Sequence, residues 1–148
     1  MARLRICKET VRSSGVDPSE VFGVNATEQL FCWQVLLAGL SISEAPAISI
    51  PEPVKNKEGK RKKRVTQPDF LVINDKREGF SDEEVEEVYV EVTKGGVLKP
   101  SKLAQLRVAV AAGIENYVQL SGTDVQRLID AEDIDKLRVL KEMLGFFE

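Results

Sequence analysis

The sequence predicts an α/β fold, a small mixed β-sheet flanked by helices. Short apolar runs rich in β-branched residues, FLVI at 70–73 and VYVEVT at 88–93, have the length and composition of strands. Longer segments, NATEQLFCWQVLLAG at 25–39 and SKLAQLRVAVAAG at 101–113, carry apolar residues at helical spacing. The order is helix, strand, strand, strand, helix, strand, helix. A helix between the third and fourth strands implies a parallel crossover, while the earlier strands can follow one another as a meander. A chain of 148 residues suits a single domain with a real core.

Residues 1–23 are mixed, and GVDPSEVFGV reads as a loop with a short helical turn. In the first strong helix Leu30, Phe31, Trp33, Gln34, Leu36, Leu37 and Ala38 make a wide face. Asn25 followed three residues later by Glu28 marks its start, and Gly39 suits the position just past its end. ISEAPAISIPEP at 42–53 reads as one strand closed by Pro51 and Pro53, and a basic loop follows. Pro68 and Asn74-Asp75 bound the next strand. KREGFSDEEVEE at 76–87 is an acidic turn region, VYVEVT a strand, and TKGG its exit. After Pro100 comes a helix with Leu103, Leu106 and Val110 on one side, stopped at Gly113. ENYVQLSG at 115–122 is the fourth strand. One or two helices over 123–147 close the chain, with Thr123 or Asp124 as cap. The reading is thus one domain over 1–148, with a core at about 24–122, the basic loop at 55–64 and a C-terminal helical segment at 123–148.

Composition narrows the chemistry. No apolar run is long enough to span a bilayer, and MARLRICKET lacks the apolar centre of a signal peptide, so a cytoplasmic protein without membrane contact is expected. Cys7 and Cys32 lack metal-ligand spacing, and Cys32 reads as a buried free thiol. The chain has no histidine, which removes histidine triads, most catalytic zinc sites and imidazole bases. Hydrolytic chemistry here must rest on carboxylates, lysine, a hydroxyl or an oxygen-ligated metal. The net charge of −3 is unevenly spread: Lys55, Lys57, Lys60, Arg61, Lys62, Lys63 and Arg64 give the segment 55–64 a net +6, leaving −9 elsewhere. A basic segment on an acidic body points to a local anionic partner such as a phosphate backbone. Its contacts would supply affinity that falls with salt, without reading sequence.

Three acids fall at element ends: Glu28 on the first helix, Asp69 opening one strand and Glu91 near the end of the next. Carboxylates on neighbouring strands can share one hard cation such as Mg²⁺. Glu28 also completes a capping pattern with Asn25, Asp69 also reads as a strand start, and Glu91 also reads as an edge-strand residue facing water.

This ordered set resembles the PD-(D/E)xK nuclease superfamily, and its size and layout look most like Holliday-junction resolvase-like and restriction-endonuclease-like members. The resemblance spans roughly residues 24–122. It implies a restriction-endonuclease-like αβββαβ core and a Mg²⁺- or Mn²⁺-dependent endonuclease cutting DNA. It also implies a homodimer matching paired cuts on two strands. Pro68-Asp69 would be the family's proline–aspartate, Glu91 its second acid, and Glu28 its helix acid. Lys102 and Gln105 would be the polar positions of the following helix.

The sequence departs from the family at the lysine. Acid and lysine two apart on a strand share a face. Here Thr93 holds that place and Lys94 follows it. Three outcomes stay open: a bulge at Val92–Thr93 that swings Lys94 back, a lysine supplied by Lys102, or loss of the lysine and of catalysis. The rival readings are an inactive nucleic-acid-binding module on the same fold and a protein-interaction domain with a basic docking segment.

Overall fold

The computed structural model describes residues 7–46, 48–49, 54–55, 61–62, 65–66, 68–74, 86–94 and 116–146. The helix expected over 101–113, and with it Lys102 and Gln105, lies outside them, as do Lys57, Lys60, Lys63, Arg64 and residues 76–85 of the acidic turn.

Local chemistry accounts for the N-terminal elements. A short helix, α1 (Lys8–Ser13), buries Val11, and a 3₁₀ turn at Pro18–Glu20 starts where the Asp17 carboxylate accepts the Ser19 N–H at 3.0 Å. Helix α2 (Ala26–Leu37) begins as its sequence implies: Asn25 Oδ1 accepts the Glu28 N–H at 3.0 Å, satisfying an otherwise unpaired first-turn donor. It ends at Ala38, and Gly39 follows with φ +85°. Phe31, Cys32 and Val35 are fully buried on it, and burial pushes the Cys32 thiol up to about 11. Trp33 is half-buried and its Nε1–H donates to Ser14 Oγ at 3.0 Å, tying α2 to the end of α1.

Gly23 enables this helix start. Its φ is +152°, and a Cβ there would lie 2.7 Å from Glu28 Cβ and 2.9 Å from the Gln29 nitrogen. Neither is the free end of a flexible chain. Gly23→Ala is therefore expected to destabilise the fold by about 1–3 kcal/mol, read as a lower denaturation midpoint.

The described strands are β1 (Ser41–Ser43), β2 (Ile48–Ser49), β3 (Val54–Lys55), β4 (Arg61–Lys62), β5 (Val65–Thr66), β6 (Phe70–Asn74), β7 (Glu86–Val92) and β8 (Tyr117–Leu120). A four-stranded mixed sheet runs β1-β6-β7-β8, antiparallel except for the parallel β7–β8 pair. That parallel pair is the one a crossover between the third and fourth strands implies. With its flanking helices, the chain is a mixed α/β fold.

Two expectations for the region between α2 and β6 need correction. The segment 42–53 is not one strand: β1 joins the main sheet, and β2 follows after Pro46, which has no N–H to give a ladder. Pro51 and Pro53 do not close the strand system either, because β3 begins at Val54. The basic segment is likewise not simply a loop. Lys55 pairs with Arg61 and Val54 with Lys62. Ser41 pairs with Ile73 and Ile48 with Thr66, so equal steps along both strands join the two ladders in one register. Lys55, Arg61 and Lys62 thus lie on a two-stranded antiparallel ladder of their own, while β2 and β5 extend the register of the β1–β6 pair.

One face of the main sheet is apolar. Phe70, Val72, Val88, Val90, Val92 and Leu120 are all buried in the core cluster with Phe31 and Val35 of α2. Phe70 sits against two other rings, 5.3 Å from Phe22 and 5.4 Å from Phe31 between centroids.

Two helices close the chain. Helix α3 (Gly122–Asp130) is capped by Ser121 rather than Thr123 or Asp124. Asp124 is instead the reciprocal partner, its Oδ2 accepting the Ser121 N–H at 2.8 Å. Helix α4 (Lys136–Leu144) follows and stops at Gly145, φ +73°. The buried Lys136 Nζ donates to the Leu128 and Ile129 carbonyls at 2.9 and 3.2 Å, satisfying acceptors near the end of α3. Among the described residues no helix is long and apolar enough to cross a membrane.

Candidate functional site

The site follows from the β6–β7 register. Phe70 pairs with Val90 and Val72 with Val88. Asp69 lies one residue before β6, just outside the paired register, and Glu91 follows Val90 on β7. Alternation puts Leu71, Tyr89 and Glu91 on the sheet face away from the Phe70–Val90 core. Pairing across β7–β8 adds Tyr117 beside Tyr89 and Gln119 beside Glu91. Two carboxylates separated by 22 positions in the chain are thereby brought to the same end of the β6–β7 pair.

Each acid is fixed by its surroundings. Asp69 Oδ2 accepts the Val92 N–H at 2.8 Å, a charge-assisted bond that ties its carboxylate to the strand carrying Glu91. Glu91 is only 5% exposed. It therefore does not face water, and the edge-strand reading does not hold. A carboxylate this deep in a sheet is costly unless paired, hydrogen-bonded or bound to a cation.

Sequence reasoning missed Tyr117. It is 9% exposed. Burial and then the negative charge of Glu91 push this phenol up to about 12, with a smaller push from Asp69, and hydrogen bonding with the Gln119 side chain opposes the rise. Both acids thus act electrostatically on the same hydroxyl. Alternation in NYVQL puts Tyr117 and Gln119 on one face, but only the β7–β8 register shows which face.

Asp69 also lines a cleft of about 600 Å³ whose wall includes Ser19, Phe22, Glu28, Glu44 and Phe70. Glu28 shares this cleft, and its carboxylate serves the start of α2: Oε1 accepts the Val24 N–H at 3.3 Å and Oε2 accepts from Asn25 Nδ2 at 2.9 Å. The capping role of Glu28 holds, and the residue also lines the cleft that Asp69 lines.

Lys94 is not brought to the acid pair. Pairing is regular to Val92–Leu120, and the Thr93 N–H donates to the Leu120 carbonyl at 2.9 Å, so no bulge forms at Val92–Thr93. Lys94 is exposed and lines a separate cleft of about 400 Å³ with Thr27 and Leu30 of α2 and Thr123 and Gln126 of α3. Buried Thr93 occupies the place two residues beyond Glu91. Of the basic residues, Lys55, Arg61 and Lys62 are placed at paired positions near the hairpin tip.

The donor set restricts which cation it suits. Among the described residues no group of three or more His, Cys, Asp or Glu side chains forms a metal cage. Asp69 and Glu91 provide two carboxylates. That suits Mg²⁺ or Mn²⁺, since Mg²⁺ keeps several waters and takes one or two carboxylates plus substrate phosphates. Compared with family models, curated proteins and solved structures, the chain matches none of them.

Proposed function

We propose that the protein is a metal-dependent nuclease that hydrolyses DNA phosphodiester bonds, acting in the cytoplasm and resolvase-like in its preference for structured DNA. The observation that carries this reading is the meeting of Asp69 and Glu91 at one end of the β6–β7 pair, Glu91 buried and Asp69 bound to the Val92 amide next to it. In this reading both acids hold Mg²⁺ or Mn²⁺, which would polarise the phosphodiester and lower the pKa of an attacking water. The chain itself orients the acids: the Val92 amide fixes Asp69, and the β7–β8 pairing fixes Glu91. The basic segment with Lys55, Lys57, Lys60, Arg61, Lys62, Lys63 and Arg64 would contact the phosphate backbone. In this reading the lysine role falls to Lys102 rather than Lys94, with Gln105 and Glu28 supporting the site. A twofold dimer would present two such sites to two strands.

A second reading, an inactive nucleic-acid-binding module, is favoured by Thr93 in the lysine place and by Lys94 in its separate cleft. A docking domain for an acidic protein is the third. The test is nicking of supercoiled plasmid and cutting of a four-way junction with Mg²⁺ or Mn²⁺. Cutting by the wild type is expected, and Lys94→Ala is expected to keep its rate within about threefold, as for a surface charge away from the chemistry. A hundredfold loss in Lys94→Ala would overturn its exclusion from the site. Salt-sensitive binding without cutting would support the module, and no binding at low salt the docking domain.

A further inference from the structure

The segment 55–64 holds seven basic side chains and one acid, and β3 and β4 fix where three of the basic residues fall. Lys55 is the register partner of Arg61, and Lys62 that of Val54, in a two-stranded antiparallel sheet of their own. Like charges directly opposite one another weaken a ladder, and two strands alone in water are marginal. An anionic partner seated along the ladder offsets the first cost by neutralising both charges. Shape and composition then select the nucleic acid. The major groove of B-form DNA, about 12 Å wide, admits a two-stranded ribbon, whereas the A-form major groove is too deep and narrow. Single strands are held by aromatic rings that stack on bases, and residues 41–69 contain no Phe, Tyr or Trp.

We propose that the β3–β4 ribbon lies in the major groove of duplex B-form DNA, with Lys55, Arg61 and Lys62 neutralising phosphates along it. This rests on the nucleic-acid part of the proposed function and is independent of cleavage. The register carries it: the Lys55–Arg61 pair puts one cation on each strand of the ribbon, and a groove has a row of phosphates along each wall. Such contacts fix position and orientation on the duplex without reading sequence.

The test uses the full chain in EDTA, with fluorescence anisotropy on a short DNA duplex, on one of its strands alone and on the same sequence as duplex RNA. The DNA duplex should bind tightest. The double variant Lys55→Ala with Arg61→Ala should weaken that binding and reduce the slope of log affinity against log salt by about two. Arg127→Ala, at an exposed arginine of α3, should leave both unchanged. Dimethyl sulfate footprinting of the wild-type complex should show protection of guanine N7, which lies in the major groove, and none of adenine N3, which lies in the minor groove. Equal or tighter binding of the single strand or of duplex RNA would overturn the ribbon assignment and leave nucleic-acid binding standing. Protection at adenine N3 alone, or a wild-type salt slope in the double variant, would do the same. No binding of any of the three at low salt would overturn it together with the nucleic-acid reading.

Discussion

Glu91→Gln is expected to lower Mg²⁺-dependent cleavage by about a thousandfold without weakening the fold. The substitution keeps the shape of the side chain and removes its charge. A bound cation supplies several kcal/mol of charge stabilisation at the reacting phosphate, and about 4 kcal/mol corresponds to roughly a thousandfold in rate. Stability should change little, because the isosteric amide keeps the side chain's shape and can still accept a hydrogen bond at a site only 5% exposed. Asp69→Asn should lose cleavage similarly but also cost about 0.5–1.5 kcal/mol of stability, since its carboxylate accepts the Val92 N–H. The measurements are plasmid nicking rates beside denaturation midpoints. Cleavage at the wild-type rate in Glu91→Gln would sink the proposed site.

Phe70→Ala is expected to cost about 3–5 kcal/mol. Phe70 is fully buried and its ring meets both Phe22, in the turn before α2, and Phe31 within α2. Truncation leaves a cavity where the start of the helix, the sheet and the N-terminal turn converge. Against a total stability of about 5–15 kcal/mol for a domain, that loss is a large fraction. Denaturant titration should show a lower midpoint with an unchanged slope. A cost below about 1 kcal/mol would mean that the surrounding side chains close the cavity. Because Asp69 precedes Phe70, metal-dependent cleavage should weaken alongside stability.

The sequence by itself determined the local elements and the inventory of chemistry. Hydrophobic spacing and the Asn25–Glu28 pair marked α2, the β-branched runs marked β6 and β7, and the absence of histidine restricted any hydrolytic site to oxygen ligands. These signals are short-range, set by neighbours within a turn or along one strand. The cap of α3 was misplaced because Ser121, Thr123 and Asp124 are all capping types, and backbone geometry chose Ser121. The extent of the hairpin was hidden because its prolines read as strand ends, while pairing in fact resumes beyond them. Tertiary structure alone decided which side chains share a site. Strand register places Tyr117 and Gln119 on the same face as Glu91, and a slip of one residue would turn each to the other side. Lys94 shows the same rule from the other side. It is three residues from Glu91 in the chain, yet a regular ladder without a bulge leaves it in a different cleft, because side chains alternate along a strand whatever their chemistry.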